Sequence, residues 1–255
     1  MITFDNYLKP ETLEEAWELN QKPANRIIGG MLWLRLSNTH YDSVIDISGL
    51  GLDFIEETDE QLRFGAMTPL RKIETCASFA DLTCGASCEA LRHIVGVQFR
   101  NLATIGGSIY SKFGFSDVVT LFLPLDSYVE LYKAGTMPLA EFLERKPDRD
   151  ILVSVIVKKH PQKAVYRSVR NTYTDFPVIN MCACLGEDGK LNFTVGCRPA
   201  IAVNTVFEIS EAASIPSNLA EGIKTGSNSR GSAEYRTHLI KVLSGRMINE
   251  LLEEN

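Results

Sequence analysis

Two turns built on paired glycines carry the clearest chemical signal in the chain. The first is Ile27-Ile28-Gly29-Gly30-Met31-Leu32, followed by Trp33, in which a short apolar strand runs into Gly-Gly and then towards a helix. Backbone without a Cβ can approach a phosphate closely, and amides at a helix start face an anion with the helix dipole behind them. The second is Thr104-Ile105-Gly106-Gly107-Ser108, where successive amides could form an anion-binding nest. Thr104, Ser108 and Ser116 add hydroxyls, and Asp117 is a carboxylate able to accept from a sugar-type hydroxyl. Either turn alone reads equally well as a plain tight turn. Two in one chain point towards a diphosphate-bearing cofactor. Arg100 and Asn101, just before the second turn, could orient that loop, meet a phosphate, or form an exposed loop pair.

Other chemistries find little support. No G-x-x-x-x-G-K-[ST] pattern occurs, and Gly49-Leu50-Gly51 follows a strand but has Phe54 where a dinucleotide fingerprint needs its third glycine. The histidines His40, His93, His160 and His238 show no metal-ligand spacing. Cys84/Cys88 and Cys182/Cys184 do not match the common ferredoxin spacings. On a helix the first pair shares a face, and on a strand the second pair shares a side, so both read as small core residues. No Ser-His-Asp or Cys-His constellation is legible.

The elements that must position these residues form three groups. Thr12 and Glu15 suggest a capping box ahead of a helix with Leu13, Ala16 and Trp17 on one face. Strands follow at residues 25–28 and 43–47, with a short helix at 32–36 between them. Residues 53–57 and 61–64 flank a hairpin turn at Thr58-Asp59. Thr68 and Pro69 read as cap and first residue of a helix bearing Leu70, Ile73 and Ala77, and a second helix is expected at 84–94. Residues 96–117 show no period, and a long irregular stretch in a compact domain is often functional. A short helix at 118–123 and strands at 128–132 and 151–157 close this group. From residue 164 strands at 164–170, 178–185 and 191–197 are expected, the last two joined by a hairpin at Glu187-Asp188-Gly189. Tyr235, Leu239, Val242, Leu243, Met247 and Leu251 then give a helical stripe.

The 255 residues, 45% hydrophobic and 23% charged, suit a globular chain of one large or two to three small units. A net charge of −6 argues against a nucleic-acid binder. The N-terminus lacks a signal-peptide pattern, and the most apolar run, residues 118–125, is too short for a membrane span. The expectation is a cytoplasmic protein with reduced cysteines.

In their order along the chain these features resemble the FAD-binding medium subunit of the xanthine dehydrogenase and carbon monoxide dehydrogenase family of molybdenum hydroxylases. Gly29-Gly30 is similar to that family's first flavin loop, and Phe64-Gly65-Ala66-Met67-Thr68 to its "GA-x-T" strand end. Phe99-Arg100-Asn101-Leu102-Ala103-Thr104-Ile105-Gly106-Gly107-Ser108-Ile109 resembles "IRN-x-ATIGGN-I", with Ser116-Asp117 at the family's offset. Arg170 and Asp175-Phe176-Pro177 resemble the opening of its C-terminal domain, and Gly231-Ser232-Ala233-Glu234-Tyr235-Arg236 its "SAEYR" segment.

The resemblance implies an α+β fold. Two αβ subdomains, residues 1–51 and 52–160, would form a PCMH-type, vanillyl-alcohol-oxidase-like FAD-binding domain. Residues 164–255 would form an antiparallel sheet with helices. It places the pyrophosphate on Ile28, Gly29, Gly30, Met31, Leu32 and Trp33 and on Thr104, Ile105, Gly106, Gly107 and Ser108. Asp117 would bond a hydroxyl of the flavin nucleotide, Arg167 stands where relatives carry a lysine near the flavin, and Ile27, Ser116 and Leu152 complete the set. Met31-Leu32-Trp33 departs from the family's usual Thr-Asp-Leu, which removes a hydroxyl and a carboxylate while leaving the backbone amides; Ser108 replaces an Asn. The implied partners are a [2Fe–2S] subunit and a molybdenum-cofactor subunit, with NAD+ or another soluble acceptor, and with no nucleic acid and no membrane. Two rivals remain: a stand-alone FAD oxidase, and a scaffold that has lost its flavin.

Overall fold

The computed structural model describes residues 1–160 and 162–253. Three sheets follow one another along the chain. The first holds β1 (Thr3–Leu8), β2 (Asn25–Ile28) and β3 (His40–Asp46), parallel and in the order β1-β3-β2, with α1 (Leu13–Asn20) as the crossover. The Thr12 hydroxyl caps α1 by accepting from the Glu15 amide at 3.1 Å, while the Glu15 carboxylate reaches the amide of Glu11 rather than that of Thr12. Ala16 packs on Ile45, Ile47 and Leu52, and Ile151 and Val153 extend this small core towards the next unit.

The second sheet is antiparallel, β4 (Ile55–Glu57), β5 (Gln61–Gly65), β6 (Ser127–Leu131), β7 (Gly135–Pro138) and β8 (Leu152–Lys158), in the order β4-β5-β8-β6-β7. Between β5 and β6 run six short helices: α2 (Leu70–Glu74), α3 (Ala77–Leu82), α4 (Ala86–Arg92), α5 (Val97–Arg100), α6 (Ile105–Tyr110) and α7 (Asp117–Phe122). The Phe64, Phe79 and Phe122 rings meet at centroid distances of 5.1–6.0 Å in the core beneath them. α8 (Leu139–Glu144) leads from β7 towards β8.

Three expectations fail here for local reasons. Residues 96–117 are not irregular: they contain α5 and α6, too short to show a helical period. Thr68 does not cap α2; Pro69 takes that position, and the Thr68 hydroxyl donates to the Phe54 carbonyl at 2.7 Å. α4 starts at Ala86 because Cys84 lies in the left-handed region, φ 49°, so Cys84 and Cys88 share no helical face.

The third sheet is antiparallel, in the order β12-β11-β10-β9, from β9 (Gln162–Arg170), β10 (Pro177–Gly186), β11 (Lys190–Gly196) and β12 (Val203–Glu208). α9 (Ile215–Gly222) and α10 (Ala233–Leu252) cover one face. There Val165, Met181 and Ala183 pack with Leu239, Leu243 and Met247. The opposite face sends Ala164, Tyr166, Cys182 and Cys184 into the core of the second unit. Burial pushes the Cys184 thiol up to about 12 and raises Cys182 as well, consistent with packed core thiols.

The Ser232-to-Arg236 segment has a structural role. Ser232 caps α10, accepting from the Tyr235 amide at 3.2 Å. Arg236 is fully buried. It donates to the carbonyls of Val178, Gly226 and Gly231 and to Asn228 Oδ1, at 2.6–2.8 Å. Among the described residues no helix is long and apolar enough to cross a membrane.

Arg100 is 4% exposed and Glu74 8%. Arg100 donates twice to the Glu74 carboxylate, at 2.7 and 3.1 Å, and once to the Ile94 carbonyl. It therefore orients the chain ahead of the second glycine turn from beneath, rather than meeting a phosphate. Burial alone would raise the Glu74 pKa, but the bonds from Arg100 and Arg71 outweigh it and hold the carboxyl below its ordinary value. Arg100→Met should lower stability by about 3 kcal/mol at neutral pH, as expected when one partner of a buried pair is removed. A group with a depressed folded pKa contributes above its unfolded pKa and loses that contribution as pH falls. In urea titrations the gap between variant and wild type should therefore narrow below about pH 4.

Candidate functional site

One cleft, with a volume of about 440 Å³, draws on all three units. Ile27, Ile28, Gly29, Gly30, Met31, Leu32 and Trp33 line it from the β2 side. Thr104, Gly106, Gly107 and Ser108 line it from the start of α6, Ser116 and Asp117 from the start of α7, and Leu152 from β8. The sequence-derived set thus converges on one place, with two exceptions. Ile105 is fully buried in the core. Arg167 lies outside the cleft, ion-paired with Glu250 on α10 and donating to the Tyr166 carbonyl; it leaves the candidate set.

The first loop exists because two backbones touch. A Cβ on Gly30 would lie 1.9 Å from the Leu102 carbonyl oxygen, so no other residue fits without moving a chain. Met31 then adopts φ 57°, which turns the following backbone out of the sheet. The expected helix shrinks to a single 3-10 turn, Leu34–Leu36. Among the described residues, none of the amides of Gly29, Gly30, Met31, Leu32 or Trp33 donates to an acceptor in the chain. These residues line the cleft, and their amides are left as donors able to meet an anion there.

The second loop does not work as expected. Its Ile105 and Gly106 amides donate to the carbonyls of Thr68 and Ala66, at 3.0 and 2.9 Å. Those of Gly107 and Ser108 turn back to Thr104, onto Oγ1 and the carbonyl, each at 3.1 Å. The nest is thus already filled by the chain itself. Gly106 is needed for packing, since a Cβ there would lie 2.6 Å from the Ala66 oxygen. This turn offers the cleft mainly its side chains and the surface of Gly107.

Asp117 is a junction. Its Oδ1 accepts from Arg170 and Asn180, each at 2.8 Å, and from the Tyr166 phenol. Burial pushes the Tyr166 phenol well above its ordinary value, so it stays protonated and donates. Ser116 uses its hydroxyl to cap α7. All three chain donors reach one Asp117 oxygen; among the described residues Oδ2 has none and remains for a hydroxyl in the cleft.

Several cleft residues could not be found from spacing. Arg26 lines the cleft and, among the described residues, has no ion-pair partner. Arg149, also on the wall, is spent on the carbonyls of Asn20, Lys22 and Asn25, which fix the approach to β2. The Tyr110 phenol, pushed up to about 12 by burial, donates to the carbonyls of Asp148 and Asp150. At the other end Trp33, Phe99, Phe115 and Phe176 meet in one aromatic group, with Trp33 contacting the other three at centroid distances of 5.2–5.8 Å. These residues come from distant segments and share no sequence signal.

Residues 2–159 match the model of a family described as the FAD binding domain in molybdopterin dehydrogenase. The chain belongs to this family. FAD is accordingly its cofactor, and the family is one of oxidoreductases. The FAD-binding subunit of xanthine dehydrogenase from Escherichia coli is 26% identical over 287 residues, covering 98% of this chain and 97% of that one. An uncharacterised Escherichia coli protein, YgfM, is 23% identical over 246 residues, covering 94% and 93%. The carbon monoxide dehydrogenase of Hydrogenophaga pseudoflava has the same fold, with a TM-score of 0.85 at 18% identity over 96% of each chain. The expected α+β, PCMH-type architecture of this FAD-binding family is the one observed.

The two glycine turns separate cleanly by experiment. Gly30→Ala should cost about 3 kcal/mol in urea unfolding, as overpacking against backbone does. Gly107→Ala, whose Cβ would meet only Thr104 Oγ1, at 3.1 Å, should stay within about 1 kcal/mol of wild type. Equal effects would remove the close-approach account of the first loop.

Proposed function

We propose that this FAD-binding chain is the electron-transfer subunit of a molybdenum hydroxylase complex, receiving electrons from a partner's [2Fe–2S] clusters and delivering them to NAD+ or another soluble acceptor. The observation that carries the binding site is the run of five unpaired amides at residues 29–33, opening on a cleft with an aromatic end. A pyrophosphate is an acceptor-only anion, and such amides, with Arg26 lining the same cleft, supply donors for it. Asp117 Oδ2 suits a ribityl or ribose hydroxyl. Thr104, Ser108 and Leu152 fill the walls between.

When bound, FAD supplies exchange of single electrons with iron–sulfur clusters and of two with a hydride acceptor. The protein binds, orients and tunes it. A partner would hold the clusters, because among the described residues no group of four thiols could bind one. Cys182, Cys184 and Cys197 are buried with raised pKa values, and a [2Fe–2S] cluster takes four thiolates. The molybdenum centre that oxidises the organic substrate would sit on a further subunit. Free thiols favour a cytoplasmic location. We place the unit boundaries at residues 1–51, 52–160 and 164–255, the last beginning two residues inside β9.

The test is the visible spectrum of the purified protein before and after adding FAD and desalting. Retained flavin bands are expected. Arg26→Ala should weaken FAD about tenfold, the value of one exposed charge-assisted contact, without changing urea stability. Absence of flavin from the chain in its intact complex would end this reading.

A further inference from the structure

The aromatic end of the cleft has no structural task that accounts for it. Trp33 is 37% exposed, and Phe113, at the same end, is as exposed. The rings come from the first loop, α5, the segment before α7 and the segment before β10. Large apolar rings at an open mouth, rather than in one of the three cores, favour a planar apolar occupant.

The geometry restricts how such an occupant fits. A ring inserted between two others needs about 7 Å between them, twice the van der Waals spacing of carbon atoms. Trp33 and Phe176 are 5.2 Å apart at 35°, so nothing enters between them. They form one composite wall, with Phe99 and Phe115 edge-on behind the indole. FAD carries two planar groups, adenine and the flavin ring. The flavin ring must exchange electrons with groups outside this chain, so it belongs at the exposed end. The other part of the cleft, with Tyr110 and Leu152, is left for the adenine.

We propose that Trp33 is the face on which the flavin ring stacks, and that its electron-rich indole tunes the flavin. This rests on the FAD-binding reading above. An indole is the best π-donor among side chains, and oxidised flavin is electron-poor while reduced flavin is electron-rich. Stacking therefore favours the oxidised form and lowers the potential. On illumination one electron passes from the indole to the excited flavin and returns in the dark, so the bound flavin emits little and nothing is consumed.

Only two tryptophans are present. Trp17 stands apart on α1, beneath Lys133 Nζ at 4.7 Å, which makes Trp33 separately readable. The experiment measures flavin emission per bound FAD, and the two-electron midpoint potential, for wild type, Trp33→Leu, Trp33→Phe and Trp33→Tyr. Wild type should bind FAD in a dark form. The Leu and Phe variants should keep FAD and emit several-fold more, with a potential raised by about 30 mV for a tenfold loss of preference for the oxidised form. The Tyr variant, whose phenol is also an electron donor, should stay dark. Loss of FAD from the Leu and Phe variants but not from Tyr would support the same role. Leu and Phe variants as dark as wild type, loss of FAD from all three, or quenching of Trp33 by ADP as complete as by FAD would overturn it. A wild-type protein that binds no FAD would instead refute the function proposed above.

Discussion

The site depends on two backbone approaches that leave no room for a Cβ. Gly30 lies against the Leu102 carbonyl, and Gly106 against that of Ala66. The first contact brings the parallel sheet's loop onto the chain ahead of α6, and the second seats α6 on the end of β5. Together they hold the two loops at one side of the cleft, where, among the described residues, the first loop's amides have no acceptor in the chain. Thr104 serves both loops: its hydroxyl caps α6 and would sit 3.0 Å from a Cβ on Gly29. The two glycine pairs that look alike in sequence therefore divide the work. One presents donors; the other supplies the floor.

This division also bears on the departure at Met31-Leu32-Trp33. Loss of a hydroxyl and a carboxylate motivated the idea of a scaffold without flavin. The donors at residues 29–33 are backbone amides, which any residue but proline keeps, provided the backbone turns as Met31 does. The departure removes side-chain contacts and adds an indole at the cleft's aromatic end. It changes the surroundings of the bound group more than the means of holding it.

The sequence revealed most where a signal was local. β2, the hairpin of β4 and β5, β9 to β11 and the stripe of α10 each carry their own period or turn residues. It revealed little where signals were short or depended on tertiary partners. α5 and α6 have four and six residues, fewer than two turns. Asp117 reads as an acceptor for a sugar-type hydroxyl, but three chain donors converge on one of its oxygens from β9 and β10. Arg100 reads as a loop-orienting or phosphate-meeting residue and Arg167, through the resemblance, as a flavin neighbour; one meets Glu74 in the core and the other Glu250 nearer the surface. Arg26 carries no signal, and although Trp33, Phe99 and Phe176 lie in segments the sequence singles out, their meeting in one aromatic group is not legible because they lie up to about 140 positions apart in the chain.

The third sheet has cores on both faces. On β10, Met181 and Ala183 pack against α10, while Cys182 and Cys184 pack into the second unit. A sheet with one face in water is already held in register, because a one-residue slip turns its apolar side outward. Here a slip of one residue would exchange thiol-sized side chains for methionine in one core and the reverse in the other. Each core proof-reads the other's register. The price is independence: neither the helices at the chain's end nor the FAD-binding half can be rebuilt alone, and substitutions on β10 are accepted only when both neighbours agree.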